Sequence, residues 1–116
     1  MVNRWIGVVL TGALLAVLAP GCGSGVGRDG DVVGGSCTAS GGCAGGSSCL
    51  TDSMYPGGMC TVDCDTQADC PGGSVCVQES GGTCLLACRS AGDCRDGYGC
   101  EDKSTVDDGH ATVCIR

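Results

Sequence analysis

The sequence predicts a small disulfide-rich fold: three tandem four-Cys modules with short β-hairpins and little helix outside an N-terminal leader. Three observations lead there. Cys supplies 13 of the 116 residues, beyond the share at which a short chain reads as a disulfide scaffold and its compartment as oxidising. Twelve of those cysteines fall into three copies of one spacing pattern. Large apolar side chains are scarce, with no Phe and with the single Trp, Trp5, in the leader, so burial alone does not offset chain entropy and cross-links must make up the difference.

The pattern is C-x5-C-x5-C, at Cys37, Cys43 and Cys49, again at Cys64, Cys70 and Cys76, and again at Cys88, Cys94 and Cys100. A fourth Cys closes each unit, at Cys60, Cys84 and Cys114, after ten, seven and thirteen intervening residues. Regular spacing with one variable stretch is the mark of duplication, and the variable stretch behaves as a loop. The units therefore run 37–60, 64–84 and 88–114. In each, the third residue after the middle Cys is Gly (Gly46, Gly73, Gly97), which predicts a positive φ or a close backbone approach there. Asp69 and Asp93 precede the middle Cys in units two and three, where they are expected to cap the following turn; Gly42 stands at that place in unit one, which argues against a shared catalytic carboxylate.

Hairpins are predicted around the third and fourth Cys. In unit two, Ser74 to Gln78 and Thr83 to Ala87 form short apolar arms around a Gly-containing turn. Units one and three fit the same plan, with longer loops at 52–58 and within 103–110. Helix-period patterns are absent.

Charge and motifs exclude several functions. The formal charge is -7, and removal of the leader with Arg4 leaves five Lys+Arg against 13 Asp+Glu, a charge of -8. Nucleic acid is not an expected partner of so acidic a chain. No two Cys are separated by two residues and His110 is the only His, so neither zinc nor any other metal or cofactor is expected. The acidic residues form no D-x-D-x-D-G calcium loop and are read as solvation. One His, no GxSxG and no phosphate loop leave an enzyme without a constellation to assign, and a thiol oxidoreductase would need the missing C-x-x-C pair. The chain is not expected to be an enzyme.

Residues 1–21 read as a signal peptide. Arg4 is followed by the uncharged run Ile6 to Ala19, too short for a membrane helix, then Pro20 and Gly21. Ala19-Pro20-Gly21-Cys22 resembles the lipobox of bacterial lipoproteins, although Ala19 stands where Leu is usual and Pro20 where Ala or Ser is common. The resemblance implies cleavage before Cys22 and acylation of its thiol, with membrane attachment through an N-terminal lipid anchor. Thirteen is also an odd count, and a lipidated Cys22 leaves twelve to pair. Residues 22–36 then read as the lipidated Cys and a flexible Gly-rich tether, six Gly among the fourteen residues after Cys22, reaching roughly 20 Å. With Gly23 rather than Asp after the anchor, the resemblance points to the bacterial cell envelope, at the outer membrane on its periplasmic or cell-surface face.

The cysteine-rich domain, 37–116, resembles the cysteine-rich repeat lipoproteins of myxobacteria and related bacteria. Its unit is similar in spacing to EB-type and Dickkopf N-terminal cysteine-rich modules. Four Cys in a unit allow three pairings, and spacing alone does not choose. First with third and second with fourth is the expectation, because it ties the hairpin to the segment before it and because the Dickkopf resemblance suggests it: Cys37–Cys49, Cys43–Cys60, Cys64–Cys76, Cys70–Cys84, Cys88–Cys100 and Cys94–Cys114. The functional expectation is a membrane-anchored binding or adhesion module using loops 52–58 and 103–110 on a protein or surface-glycan partner. The alternatives are a purely structural envelope lipoprotein and a secreted domain like a small protease inhibitor, presenting Arg89 or Arg95 on an exposed loop.

Overall fold

The structure, a computed structural model, describes residues 25–116; the leader and Cys22 lie outside the described residues. Three antiparallel hairpins follow one another in chain order. β1 (Ser48–Leu50) pairs with β2 (Met59–Thr61), β3 (Ser74–Val77) with β4 (Thr83–Leu86), and β5 (Gly99–Ser104) with β6 (His110–Ile115). Among the described residues no helix is long and apolar enough to cross a membrane.

Each hairpin sets the third and fourth Cys of its unit directly opposite one another, as Cys49↔Cys60, Cys76↔Cys84 and Cys100↔Cys114. Opposed residues share a face of the ladder. Both sulfurs therefore meet the irregular segment that precedes the hairpin and carries the first and second Cys. Six disulfides close there, Cys37–Cys49, Cys43–Cys60, Cys64–Cys76, Cys70–Cys84, Cys88–Cys100 and Cys94–Cys114. The order is first with third and second with fourth in every unit.

The repeated Gly has a backbone reason. Gly46, Gly73 and Gly97 sit at φ 89°, 90° and 88°, a region that residues with a Cβ rarely occupy. The two aspartates act in the opposite direction to the one expected. Asp69 Oδ2 accepts from the backbone N–H groups of Asp65 (2.8 Å) and Thr66 (3.1 Å), and Asp93 Oδ2 from those of Arg89 (2.8 Å) and Ser90 (3.3 Å). Each closes the start of a short 3₁₀ turn, Gln67–Asp69 or Ala91–Asp93, that precedes the middle Cys. These N–H groups belong to the two residues just before the turn, the second of them its N-cap, so the carboxylate of the turn's third residue reaches back to them as in a capping box. Unit one, with Gly42 at this place, has no 3₁₀ turn, and Thr38 and Gly41 form an isolated bridge instead.

The units are not independent beads. One apolar cluster takes Tyr55 and Met59 from unit one, Val77 and Leu85 from unit two, and Tyr98, Val113 and Ile115 from unit three. Backbone hydrogen bonds cross the same boundaries: Gln78 N to Ser104 O (3.0 Å), Val106 N to Cys76 O (3.2 Å), Cys84 N to Val62 O (3.0 Å) and Arg116 N to Met54 O (3.1 Å). No unit carries enough apolar residues for a core of its own, so the three share one.

Residues 25–36, expected to be a flexible tether, are instead folded onto the domain. Val33 is fully buried and Val26 and Val32 pack beside it against the disulfides of unit two. Gly34 N donates to Cys60 O and Cys60 N donates to Gly35 O, both at 2.9 Å, so the segment lies along β2 as an added strand would. The glycines that suggested flexibility serve close approach. Gly34 adopts φ 111°, and a Cβ there would lie 2.1 Å from Gly27 O. Composition measures how free a backbone is before folding, and it does not register three valines placed to anchor it.

Candidate functional site

The two loops expected to carry function differ sharply. Loop 52–58 turns inward. Tyr55 is 2% exposed within the shared cluster, and Asp52 Oδ1 accepts from Met54 N (3.1 Å) to close the bend. Unit three grips the loop's end: the Tyr98 hydroxyl donates to Pro56 O (2.9 Å), and Arg95 Nη2 donates to Gly58 O and to the Tyr98 oxygen (2.8 Å). The Arg95 guanidinium also lies 4.8 Å from the Tyr98 ring centroid. This corrects the expectation of Arg95 on an exposed loop. Loop 52–58 is a plug that fastens unit one to unit three, and Arg95 is a half-buried clamp, not an arginine held out to a protease. Arg89 is exposed. Apolar demand explains the difference: a chain with two Tyr and no Phe commits both rings to its core.

Loop 103–110 turns outward from a fixed base. Thr105 is 4% exposed. Its carbonyl accepts from Gln78 Nε2 (2.7 Å), and its hydroxyl donates to the Asp107 carboxylate and accepts from Gly109 N (3.0 Å). That hydroxyl holds the Asp107 carboxyl below its usual range. The tip, with Asp107, Asp108 and His110, is exposed, and a shallow polar cleft opens beside it between the tips of the second and third hairpins, lined by Glu79, Ser80, Asp102, Lys103, Ser104 and His110. Lys103 Nζ pairs with Glu79 across it at 3.5 Å, and on the third hairpin His110 Nδ1 lies 3.2 Å from Asp102 Oδ2.

The His110 and Asp102 side chains are 67% and 65% exposed, so the pair is solvated and adds little to stability. Exposed donors and acceptors on a hairpin can offer hydrogen bonds to a polar partner at small ordering cost.

The cysteine sites carry no free thiol. Sulfurs of Cys37, Cys43 and Cys60 lie within 4.8 Å of one another, as do those of Cys64, Cys70 and Cys76 and of Cys88, Cys94 and Cys114. Such triads would suit a soft metal as thiolates. Every member is in a disulfide. Cys22, the expected lipidation site, lies outside the described residues. Sequence reasoning also missed Gln67. Its side-chain amide accepts from Cys76 N and donates to Cys76 O, both at 2.8 Å, and so acts as a neighbouring strand for β3. A lone Gln in a polar stretch gives no signal of this. Comparison with protein-family models, with curated proteins and with solved structures finds no match.

The two tyrosines report on the core. Burial, reinforced by the negative charges of Asp52 and Glu79, raises the Tyr55 hydroxyl to about 12 from its ordinary 10.0. Burial raises Tyr98 as well, with Arg95 opposing the shift. A folded value above the unfolded one means that the stabilisation is whole below pH 10 and is lost as pH climbs toward 12. In an alkaline titration, phenolate absorbance should lag that of free tyrosine and rise together with loss of structure between those limits. At the acid end the sign reverses. Backbone N–H groups hold Asp69 and Asp93 below the usual carboxylate value of 3.8, so their contribution is present above that value and fades as pH falls through the lowered ones.

Proposed function

We propose that the chain is an exported lipoprotein anchored through acylated Cys22, whose disulfide-stapled domain serves as a binding module at the bacterial envelope. The observation that carries the anchor is the closed cysteine account: the twelve cysteines of units one to three are all bonded to one another, so none is left to pair with Cys22. The lipobox-like Ala19-Pro20-Gly21-Cys22 gives the thirteenth its use. Two or three acyl chains, at ~0.8 kcal/mol per buried methylene, hold a protein on a bilayer almost irreversibly. The partner is a polar protein or glycan surface met by the cleft beside loop 103–110. Loop 52–58 commits Tyr55 to the core, whereas the tip of loop 103–110 faces outward with Asp107, Asp108 and His110.

The test of the anchor is direct. The native protein is expected to partition into the detergent phase and to show an acylated N-terminal Cys by intact mass, and Cys22→Ala should move it wholly to the aqueous phase. Recovery of a chain cut after Ala19, with Cys22 in an intermolecular disulfide, would refute the anchor. The module reading is checked separately, by a pull-down with the lipid-free domain from envelope extracts. Capture lost on replacing residues 106–109 supports it, whereas capture unchanged by that replacement, or no partner at all, favours a purely structural envelope lipoprotein.

A further inference from the structure

The fold brings the anchor close. Gly25 is already part of the domain: its carbonyl accepts from Val32 N (2.9 Å) and Val33 N (3.1 Å). Only Ser24 and Gly23 separate it from Cys22. Three fully extended Cα steps span at most about 11 Å. An acylated Cys sits at the inner edge of a headgroup layer that is itself roughly 5–7 Å thick, which leaves Gly25 only about 5 Å of reach above the headgroups.

We infer that the domain rests directly on the bilayer, with the surface around Gly25 as its membrane-contact face and residues 25–36 as a folded foot. This rests on the acylation of Cys22 proposed above. Unlike a tether, the foot is fixed to units one and two. Gly34 and Gly35 bond Cys60, and Ala44 N donates to Asp31 O (2.7 Å), in unit one. Val26 lies against Gly73 of unit two, and units one and two share their apolar cluster with unit three. The domain therefore meets the membrane as one body in a set orientation. Asp31 marks the contact face, because its carboxylate lies 2.9 Å from where a Cβ on Gly25 would stand and its side chain is exposed. Glu101 and Asp102, exposed on β5 and outside the cluster in which the foot packs, serve as the comparison carboxylates.

The experiment uses the full lipidated protein in phosphatidylcholine bilayers, beside a variant with fifteen Gly-Ser residues inserted between Ser24 and Gly25. Neutron reflectometry should place the protein layer against the headgroups in the native form and open a hydrated gap of roughly 20 Å in the insertion variant, the reach of a coil of that length. Carbodiimide labelling should slow several-fold at Asp31 in the native form relative to the insertion variant, with Glu101 and Asp102 unchanged. A comparable hydrated gap beneath the native, acylated protein would overturn the placement. Equal labelling of Asp31 in both forms would overturn the assignment of the face. An unacylated Cys22, seen in the intact mass beforehand, would instead remove the anchor reading on which the placement depends.

Discussion

Reduction of the six disulfides is expected to unfold the whole domain, in a single transition that spans all three units. Each bond closes 12 to 20 residues of chain, for which loop-closure entropy gives ~3 kcal/mol. Domains of this size are stable by only about 5–15 kcal/mol in total, so the loss of two bonds already approaches the margin. The shared core makes the loss collective. Opening unit three by replacing Cys94 and Cys114 with Ala should loosen Tyr98 and Arg95, and with them loop 52–58 of unit one, which those side chains hold. A reductant titration followed by circular dichroism and limited proteolysis would show both effects. The expected results are complete loss of structure on full reduction and new cleavage in loop 52–58 when only Cys94–Cys114 is removed. Hairpins surviving full reduction, or cleavage confined to unit three, would contradict a single cooperative core.

The second large effect is expected from Gly82→Ala. Gly82 adopts φ 122°, and a Cβ there would lie 2.0 Å from the Cys64 carbonyl oxygen, while Cys64 N donates to Gly82 O (3.1 Å). The clash is with backbone, so no rotamer change relieves it. Moving Cys64 away would also disturb the bridge to Cys76. Strain and overpacking together predict a loss on the order of 3 kcal/mol. Gly72→Ala is the control, with nothing within 4 Å of its added methyl, and should change stability by less than about 0.5 kcal/mol. Guanidinium midpoints under non-reducing conditions, together with the yield of correctly paired protein, measure both variants. Equal midpoints would show that the close approach at Gly82 is relaxed in solution.

Much of the architecture is legible in the sequence because it is written in spacing. Three C-x5-C-x5-C units and their closing cysteines define where the hairpins fall. Ser74–Val77 and Thr83–Leu86 form within the predicted arms, and the recurrent Gly announces the positive φ that Gly46, Gly73 and Gly97 adopt. Direction was harder to read than position. An Asp before a Cys signals a cap, but whether its carboxylate turns forward or back depends on which N–H groups lack partners, and that follows from the 3₁₀ turn formed upstream. The candidate site was only half legible. Both variable loops looked alike as polar, Gly-containing stretches, and nothing local distinguishes Tyr55, which fills the core, from His110, which faces solvent.

By itself, the sequence determined the class of the molecule: too few apolar residues for a core of ordinary size, enough cysteines to replace it, and a repeat that fixes three hairpins. These are local or compositional quantities, and they survive without knowledge of what touches what. The tertiary structure alone decided which of three pairings each unit adopts, that the units share one cluster, that loop 52–58 is a plug, and that residues 25–36 are a foot and not a tether. Each of those depends on contacts between residues far apart in the chain. For a backbone as rich in glycine as residues 25–36, the same freedom that permits a flexible coil also permits the close approaches that bind it down, and only the surface against which it packs selects between them.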